Sequence, residues 1–202
     1  MADWLEGFLS MRVHALIRFG RWHDVLALPL PADPELYCVT TAMTRYARGV
    51  AQAALSDVAA ARAEQRAFEA ARARVPESRT LFNNTCLAIL EVAAQMLEGE
   101  VAYRAGEHER TFAALREAVA LSDGLTYDEP WAWMQPVRHA LGALLLEQGR
   151  VEEAAPFRQR LALAQARADV PIASSCFCRL EGPHAGQHHH PAHDHPHHHH
   201  GP

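Results

Sequence analysis

The stretch 141-LGALLLEQGRVEEA-154 decides the architecture. Its apolar positions Leu141, Leu144 and Leu145, and then Val151 and Ala154, recur at the three- and four-residue spacing of a helix face. Gly149 falls between the two groups, where a first helix has to stop and glycine takes the left-handed turn without a Cβ penalty. Read outward, the segment is one helix, a tight turn and a second helix. The turn pattern is Gly, any residue, an apolar or aromatic residue, two more, then a small or apolar one. It recurs at 20-GRWHDV-25 and 106-GEHERT-111, with a degenerate copy at 56-SDVAAA-61. The steps are 36, 50 and 43 residues (20 to 56, 56 to 106, 106 to 149). Gly49, Gly99 and Gly142 each lie seven residues before a turn, where a missing side chain lets two antiparallel helices approach closely.

Between these landmarks the chain is helical in character throughout. Alanine, leucine, arginine and glutamate dominate residues 5–168, and no stretch alternates apolar and polar residues with β-branched or aromatic enrichment. The expected helices cover 4–19, 21–28, 35–55, 57–74, 79–105, 108–121, 130–148 and 150–168. Breaks are set by Pro29, Pro31 and Pro34, by Pro76, by 122-SDG-124 and by Glu129-Pro130, with Pro130 in a helix first turn. Pro156 intrudes on the last helix, where a proline interior to the helix costs about 3 kcal/mol.

These units resemble the tetratricopeptide repeat. The last copy follows the family pattern at Leu141, Gly142, Leu145, Gly149, Val151 and Ala154. The copy at 99–118 keeps Gly99, Ala102, Gly106 and Ala118 but carries His108 and Thr111 where larger apolar residues or alanine are usual. The first keeps Leu9, Leu16, Gly20, Trp22 and Val25. The steps exceed the family's usual period of about 34 residues. The stretches 16-LIRFGRWHDVLALPLP-31, 45-RYARGVAQAAL-55 and 127–154 are similar to a bacterial group of larger tetratricopeptide-repeat proteins of unassigned role, in which such segments fall in the C-terminal half. The resemblance implies an all-α solenoid of antiparallel helix pairs over residues 1–168. Its concave groove would take a partner protein or peptide, and one alternative is that the chain is a fragment of such a larger protein. Stacking is required because one helical hairpin cannot bury its own apolar face. No polar capping helix ends the array, so a homodimer is a further expectation.

Composition removes several functional classes. The 202 residues carry a formal charge of −5, with 19 Lys+Arg and 24 Asp+Glu. That balance argues against nucleic acid as a partner. Every cation of the Lys+Arg class is arginine, which excludes a phosphate-loop lysine and a Schiff-base lysine. No apolar run approaches the roughly 20 residues of a membrane span. The first twenty residues lack the basic start of a signal peptide. Four cysteines are too few for a disulfide scaffold. The expectation is a cytoplasmic protein, off the membrane, and not an enzyme: His14, His23, His108 and His139 are scattered over different units, and no catalytic motif occurs. Cys86, in 86-CLAIL-90, reads as a core residue, whereas the place of Cys38 near a helix start leaves exposure open and offers it no obvious base.

Two groups of candidate site residues remain. The first is the groove. The stretch 128-DEPWAWMQPVRHALG-142 gathers Trp131, Trp133, Gln135, Arg138 and His139, and tryptophan and arginine are favoured at binding hot spots. The competing reading places both tryptophans in interior packing and Arg138 on a solvated face. Asn83 and Asn84, in 79-RTLFNNTC-86, are candidates for holding a peptide backbone; the competing reading is a polar helix surface. Some members of the resembling family hold a peptide carboxylate with a lysine-and-asparagine clamp, and here only arginine could stand in for the lysine.

The second group is the segment 169–202, where proline, glycine and histidine take over and a packed core becomes unaffordable in ordering entropy; disorder is the expectation. Ten of the 14 histidines lie here: His184, His188, His189, His190, His193, His195, His197, His198, His199 and His200. Neutral imidazoles suit Zn²⁺, Ni²⁺ and Cu²⁺. Cys176 and Cys178 add a Cys-x-Cys pair that with two imidazoles makes a tetrahedral set. The alternative function is therefore metal handling by this tail, although no cofactor is required. Against it stand an expression tag, which the intervening Pro191, Ala192, Asp194 and Pro196 disfavour, and drifted low-complexity sequence.

Overall fold

A computed structural model describes residues 2–129 and 132–157. The described chain is built of helices α1 (Ala2–Leu5), α2 (Met11–Arg18), α3 (Trp22–Leu26), α4 (Cys38–Ala54), α5 (Val58–Arg72), α6 (Cys86–Arg104), α7 (His108–Gly124) and α8 (Val137–Glu147). A 3-10 turn covers Glu6–Ser10, and residues 151–157 are also helical.

The four turn motifs close in the same way. Gly20, Ser56, Gly106 and Gly149 have φ of 63°, 66°, 78° and 71°. In each, the turn residue donates its N–H to the carbonyl three residues back, and the next residue donates to the carbonyl five back. Gly20 bonds Ile17 and Arg21 bonds Leu16, and the same pair of bonds recurs at Ser56 and Asp57, Gly106 and Glu107, and Gly149 and Arg150. That double bond satisfies two of the carbonyls a helix end leaves open and reverses the chain. Asp57 then caps α5 by accepting from Ala60 N at 2.9 Å.

The helices pack as pairs, α2 with α3, α4 with α5, α6 with α7. Successive pairs meet through α3 and α2 on α4, through α4 and α5 on α6, and through α7 on α8. Helix α6 is apolar around most of its circumference, from Ile89 and Leu90 through Met96 and Leu97 to Val101, as a helix covered on several sides must be. Gly99 lets α7 close on it: a Cβ there would sit 2.8 Å from Leu115 Cδ2 and Cγ. Gly49 faces not its own partner helix first but α6 of the next pair, where a Cβ would stand 2.8 Å from Leu97 Cδ1. The interior runs without a break from Ile17 and Val25 through Tyr46 and Phe68 to Leu97, Phe112, Leu115, Leu144 and Leu145.

Three expected helices are cut short. The helix expected over 79–105 starts at Cys86, because 80–85 forms a two-stranded hairpin, β1 (Thr80–Leu81) against β2 (Asn84–Thr85), with Thr80 opposite Thr85 and Leu81 opposite Asn84. Thr80 and Thr85 suit strand backbone there, and Asn83 suits the tight turn between the strands. Thr85 then caps α6 by accepting from Ala88 N at 3.2 Å. The helix expected over 130–148 starts at Val137, with Pro136 in extended backbone before it; a proline disfavours helix at the residue it follows. The helix expected over 4–19 is interrupted by the 3-10 turn, whose Gly7 leaves space for Leu81, 3.2 Å from where its Cβ would stand.

Candidate functional site

Hairpin β1–β2, the connection from α7 to α8, and the inner faces of α2 and α4 come together at one place. The hairpin tip is Phe82-Asn83, with Phe82 at φ 49° in the left-handed region and its ring edge-on to Phe8 at 4.9 Å. That tip presents two asparagine side chains to the connection. Asn84 Oδ1 accepts from Thr126 N at 2.8 Å, and Asn84 Nδ2 donates to Thr126 O at 2.8 Å and to Asp128 Oδ2 at 2.6 Å. Asn83 Nδ2 donates to Asp128 Oδ1 at 2.6 Å and to Tyr127 O at 3.2 Å, and Asn83 N donates to Asp128 Oδ1 at 3.3 Å. The asparagines thus hold a peptide backbone, and it is the chain's own.

The other end of the connection is anchored in the interior. Gln135 is only 3% exposed. Its Oε1 accepts from the Tyr46 hydroxyl at 3.0 Å, and its Nε2 meets His14 Nδ1 at 3.3 Å. An amide nitrogen can only donate, so His14 Nδ1 accepts and the imidazole is neutral. Burial lowers its pKa from 6.5 to about 4, in keeping with that state. Trp133 packs edge-on to both rings, 5.0 Å from His14 and 5.5 Å from Tyr46. It is 5% exposed, and its buried indole N–H has no hydrogen-bond partner among the described residues.

Between the two anchors lies a pocket of about 390 Å³ lined by Tyr127, Asp128, Trp133, Gln135, Arg138 and His139 among others. Four of the groove residues expected from sequence therefore share one pocket, and Asn83 and Asn84 hold its Asp128. Arg138 is half-buried and binds Asp123 through both guanidinium nitrogens, Nη1 to Oδ1 and Nη2 to Oδ2. It shapes the rim as a paired cation. Trp131 lies outside the described residues. So do Cys176, Cys178 and all ten tail histidines, and with them the metal reading. Among the described residues no group of three or more His, Cys, Asp or Glu side chains is placed to hold a metal ion. Among the same residues, no helix is long and apolar enough to cross a membrane.

Sequence reasoning missed a buried polar group beside the hairpin. Glu6 Oε1 accepts from Thr40 N at 2.8 Å, Glu6 Oε2 lies 3.4 Å from Arg79 Nη1, and Cys38 Sγ donates to Glu6 Oε2 at 3.8 Å. Arg79 Nη2 also donates to Leu36 O at 3.1 Å. Cys38, whose exposure the sequence leaves open, is therefore buried: the 3-10 turn folds Glu6 over the start of α4. Burial raises the pKa of Cys38, and it pushes Cys86 up to about 12, with Glu6 adding to both shifts. These thiols stay protonated and behave as packing residues. No local pattern announces such a group, because Glu6 and Arg79 are far apart in the chain.

A third buried group is Glu100 on α6. It is 0% exposed, its Oε1 accepts from Arg104 Nε at 3.1 Å, and its Oε2 has no hydrogen-bond partner among the described residues. Burial raises its pKa to about 8 against the pull of Arg104, and Glu147 on α8 adds to the rise.

Compared with protein-family models, curated proteins and solved structures, the chain matches none. The reading of its role rests on its own geometry.

Proposed function

We propose that the chain is a non-enzymatic scaffold of the tetratricopeptide-repeat kind, a solenoid of helix pairs that binds a protein or peptide partner. The observation that carries this reading is the pocket of about 390 Å³ on which Trp133, Gln135, Arg138 and His139 converge. The frame beneath it supports the same reading, with four turns closed by the same pair of hydrogen bonds and helix pairs packed in series. Helix hairpins in series are rigid and present side chains at fixed spacing, which suits recognition of a partner better than bond-making chemistry. The buried histidine bonded to the pocket-lining Gln135 argues the same way. His14 is buried, neutral and committed to Gln135, so it is no general base for a bound substrate.

Selection of peptides from a displayed random library against the full chain tests the reading. Peptides that bind should lose at least tenfold in affinity to a His139→Ala or Tyr127→Ala variant, both of which alter the pocket without touching the Gln135 anchor. A library that yields no binder, or binders indifferent to both variants, overturns it.

A further inference from the structure

We propose that the hairpin tip Phe82–Asn84 is a peptide clamp, that its occupant in this structure is the chain's own Thr126–Asp128, and that an extended acidic segment of a partner replaces it. The proposal deepens the scaffold reading and rests on it.

The first observation is what the clamp reads. Asn84 pairs with both the N–H and the C=O of Thr126, as the edge of a strand would. Asn83 takes the carbonyl of Tyr127. Among the described residues of the segment, the side chain recognised is the carboxylate of Asp128, which accepts from Asn83 N, Asn83 Nδ2 and Asn84 Nδ2. Everything else is main chain, so any extended segment with a carboxylate two residues after the paired position presents the same chemistry. The side chain of Tyr127, the residue between, is 70% exposed and is not read.

The second observation is strain. Phe82, an aromatic residue, holds φ 49° at the tip. Side chains other than glycine occupy that region at a cost, and such residues gather at ligand clamps. Here the conformation aims the Asn83 amide N–H and side chain at one carboxylate oxygen.

The third observation is the exposure of the occupant. Leu125 to Asp128 border the open 390 Å³ pocket, and Thr126 and Tyr127 are exposed. Releasing 126–128 gives up the asparagine bonds and the buried place of Asp128, and little else. The anchor at Trp133 and Gln135 stays in place, so the released segment remains tethered. A tethered competitor acts at about millimolar effective concentration, which keeps the clamp closed until a better ligand arrives.

The test uses the full chain and a fluorescein-labelled peptide of residues 124–129, GLTYDE. The Asp128→Ala variant, which weakens the tethered competitor, should bind this peptide at least tenfold more tightly than the unaltered chain. The peptide GLTYAE should not bind, and adding Asn84→Ala should abolish the gain. An Asp128→Ala protein that melts cooperatively yet binds no better overturns the clamp. Should Asp128→Ala fail to fold, amide exchange in the unaltered chain decides. The Thr126 and Asn83 N–H groups should exchange at least a hundredfold faster than core amides of α4 and α6, and exchange at the core rate overturns the proposal. Library peptides that bind the pocket but ignore Asn84→Ala sink the clamp and leave the scaffold. Library peptides that lose affinity in Asn84→Ala and compete with GLTYDE support both the scaffold and the clamp.

Discussion

Ser56 does what Gly20, Gly106 and Gly149 do, with a Cβ in the way: its φ of 66° lies in the left-handed region. The sequence already pairs 56-SDVAAA-61 with the glycine turns, so the position was legible even without the glycine. Ser56→Gly should relieve that conformation, partly offset by the greater freedom of glycine in the unfolded chain, for a gain of about 0.5–1 kcal/mol. Scanning calorimetry should show a rise in Tm of about 1–4 °C; a fall would mean the turn is not strained. Gly99 predicts the opposite sign. Glycine to alanine in a helix is usually worth about 0.5–1 kcal/mol. Here the new methyl would lie 2.8 Å from Leu115 Cγ, a fully buried side chain with nowhere to turn. Overpacking costs about 1–3 kcal/mol, so Gly99→Ala should be destabilised by about 1–2 kcal/mol in urea denaturation. A stabilised variant would mean that α6 and α7 are not held apart by that contact. The sequence shows that a mid-helix glycine has a packing reason but not which side chain supplies it.

At the scale of elements, what was legible was the helix, and what was not was the link between helices. Turns, caps and apolar spacing are local, so 38–54, 58–72 and 108–124 lie close to where the pattern put them. The hairpin at 80–85 was hidden because two residues per strand leave no alternation to read, and it is held by a partner 42 to 45 residues away. Gln135 reads as a groove candidate because nothing local shows that it meets His14 across 121 residues and Tyr46 across 89. Its two amide bonds pin the α7–α8 connection to α2 and α4. Tyr46→Phe removes the donor and leaves Gln135 Oε1 buried without one, at a cost of about 1–3 kcal/mol. Gln135→Leu on the same background should cost less than the sum of the two single changes, since the orphaned acceptor is gone. Strict additivity in urea denaturation would show that the two groups are not coupled.

Over the whole molecule, two buried titratable groups at separate places set how stability follows pH. Glu100 holds its proton more tightly folded (about 8) than its ordinary value of 4.5, because burial disfavours the carboxylate and Arg104 only partly offsets it. Its contribution is full below pH 4.5 and is lost as pH climbs through about 8. His14 runs the other way. Its pKa falls from 6.5 to about 4, so its contribution is full above pH 6.5 and is lost as pH drops through about 4. Between 4.5 and 6.5 the folded chain keeps the Glu100 proton that the unfolded chain releases, and refuses the His14 proton that the unfolded chain takes up. The two slopes cancel there and stability should be flat. From 6.5 to 8 only the Glu100 slope remains, and at about 1.4 kcal/mol per pH unit it removes about 2 kcal/mol. The window stops short of pH 9.0, the ordinary value of the thiols, where Cys38 and Cys86 enter. Glu100→Gln keeps the shape and removes the titration, so it should abolish the loss above pH 6.5 and expose the His14 slope as a rise between pH 4 and 6.5. Urea midpoints for both proteins at half-unit steps from pH 4 to 8.5 check this. Parallel curves above pH 6.5 would show that the carboxyl on α6 is ionised in the fold despite its burial and the charge of Glu147.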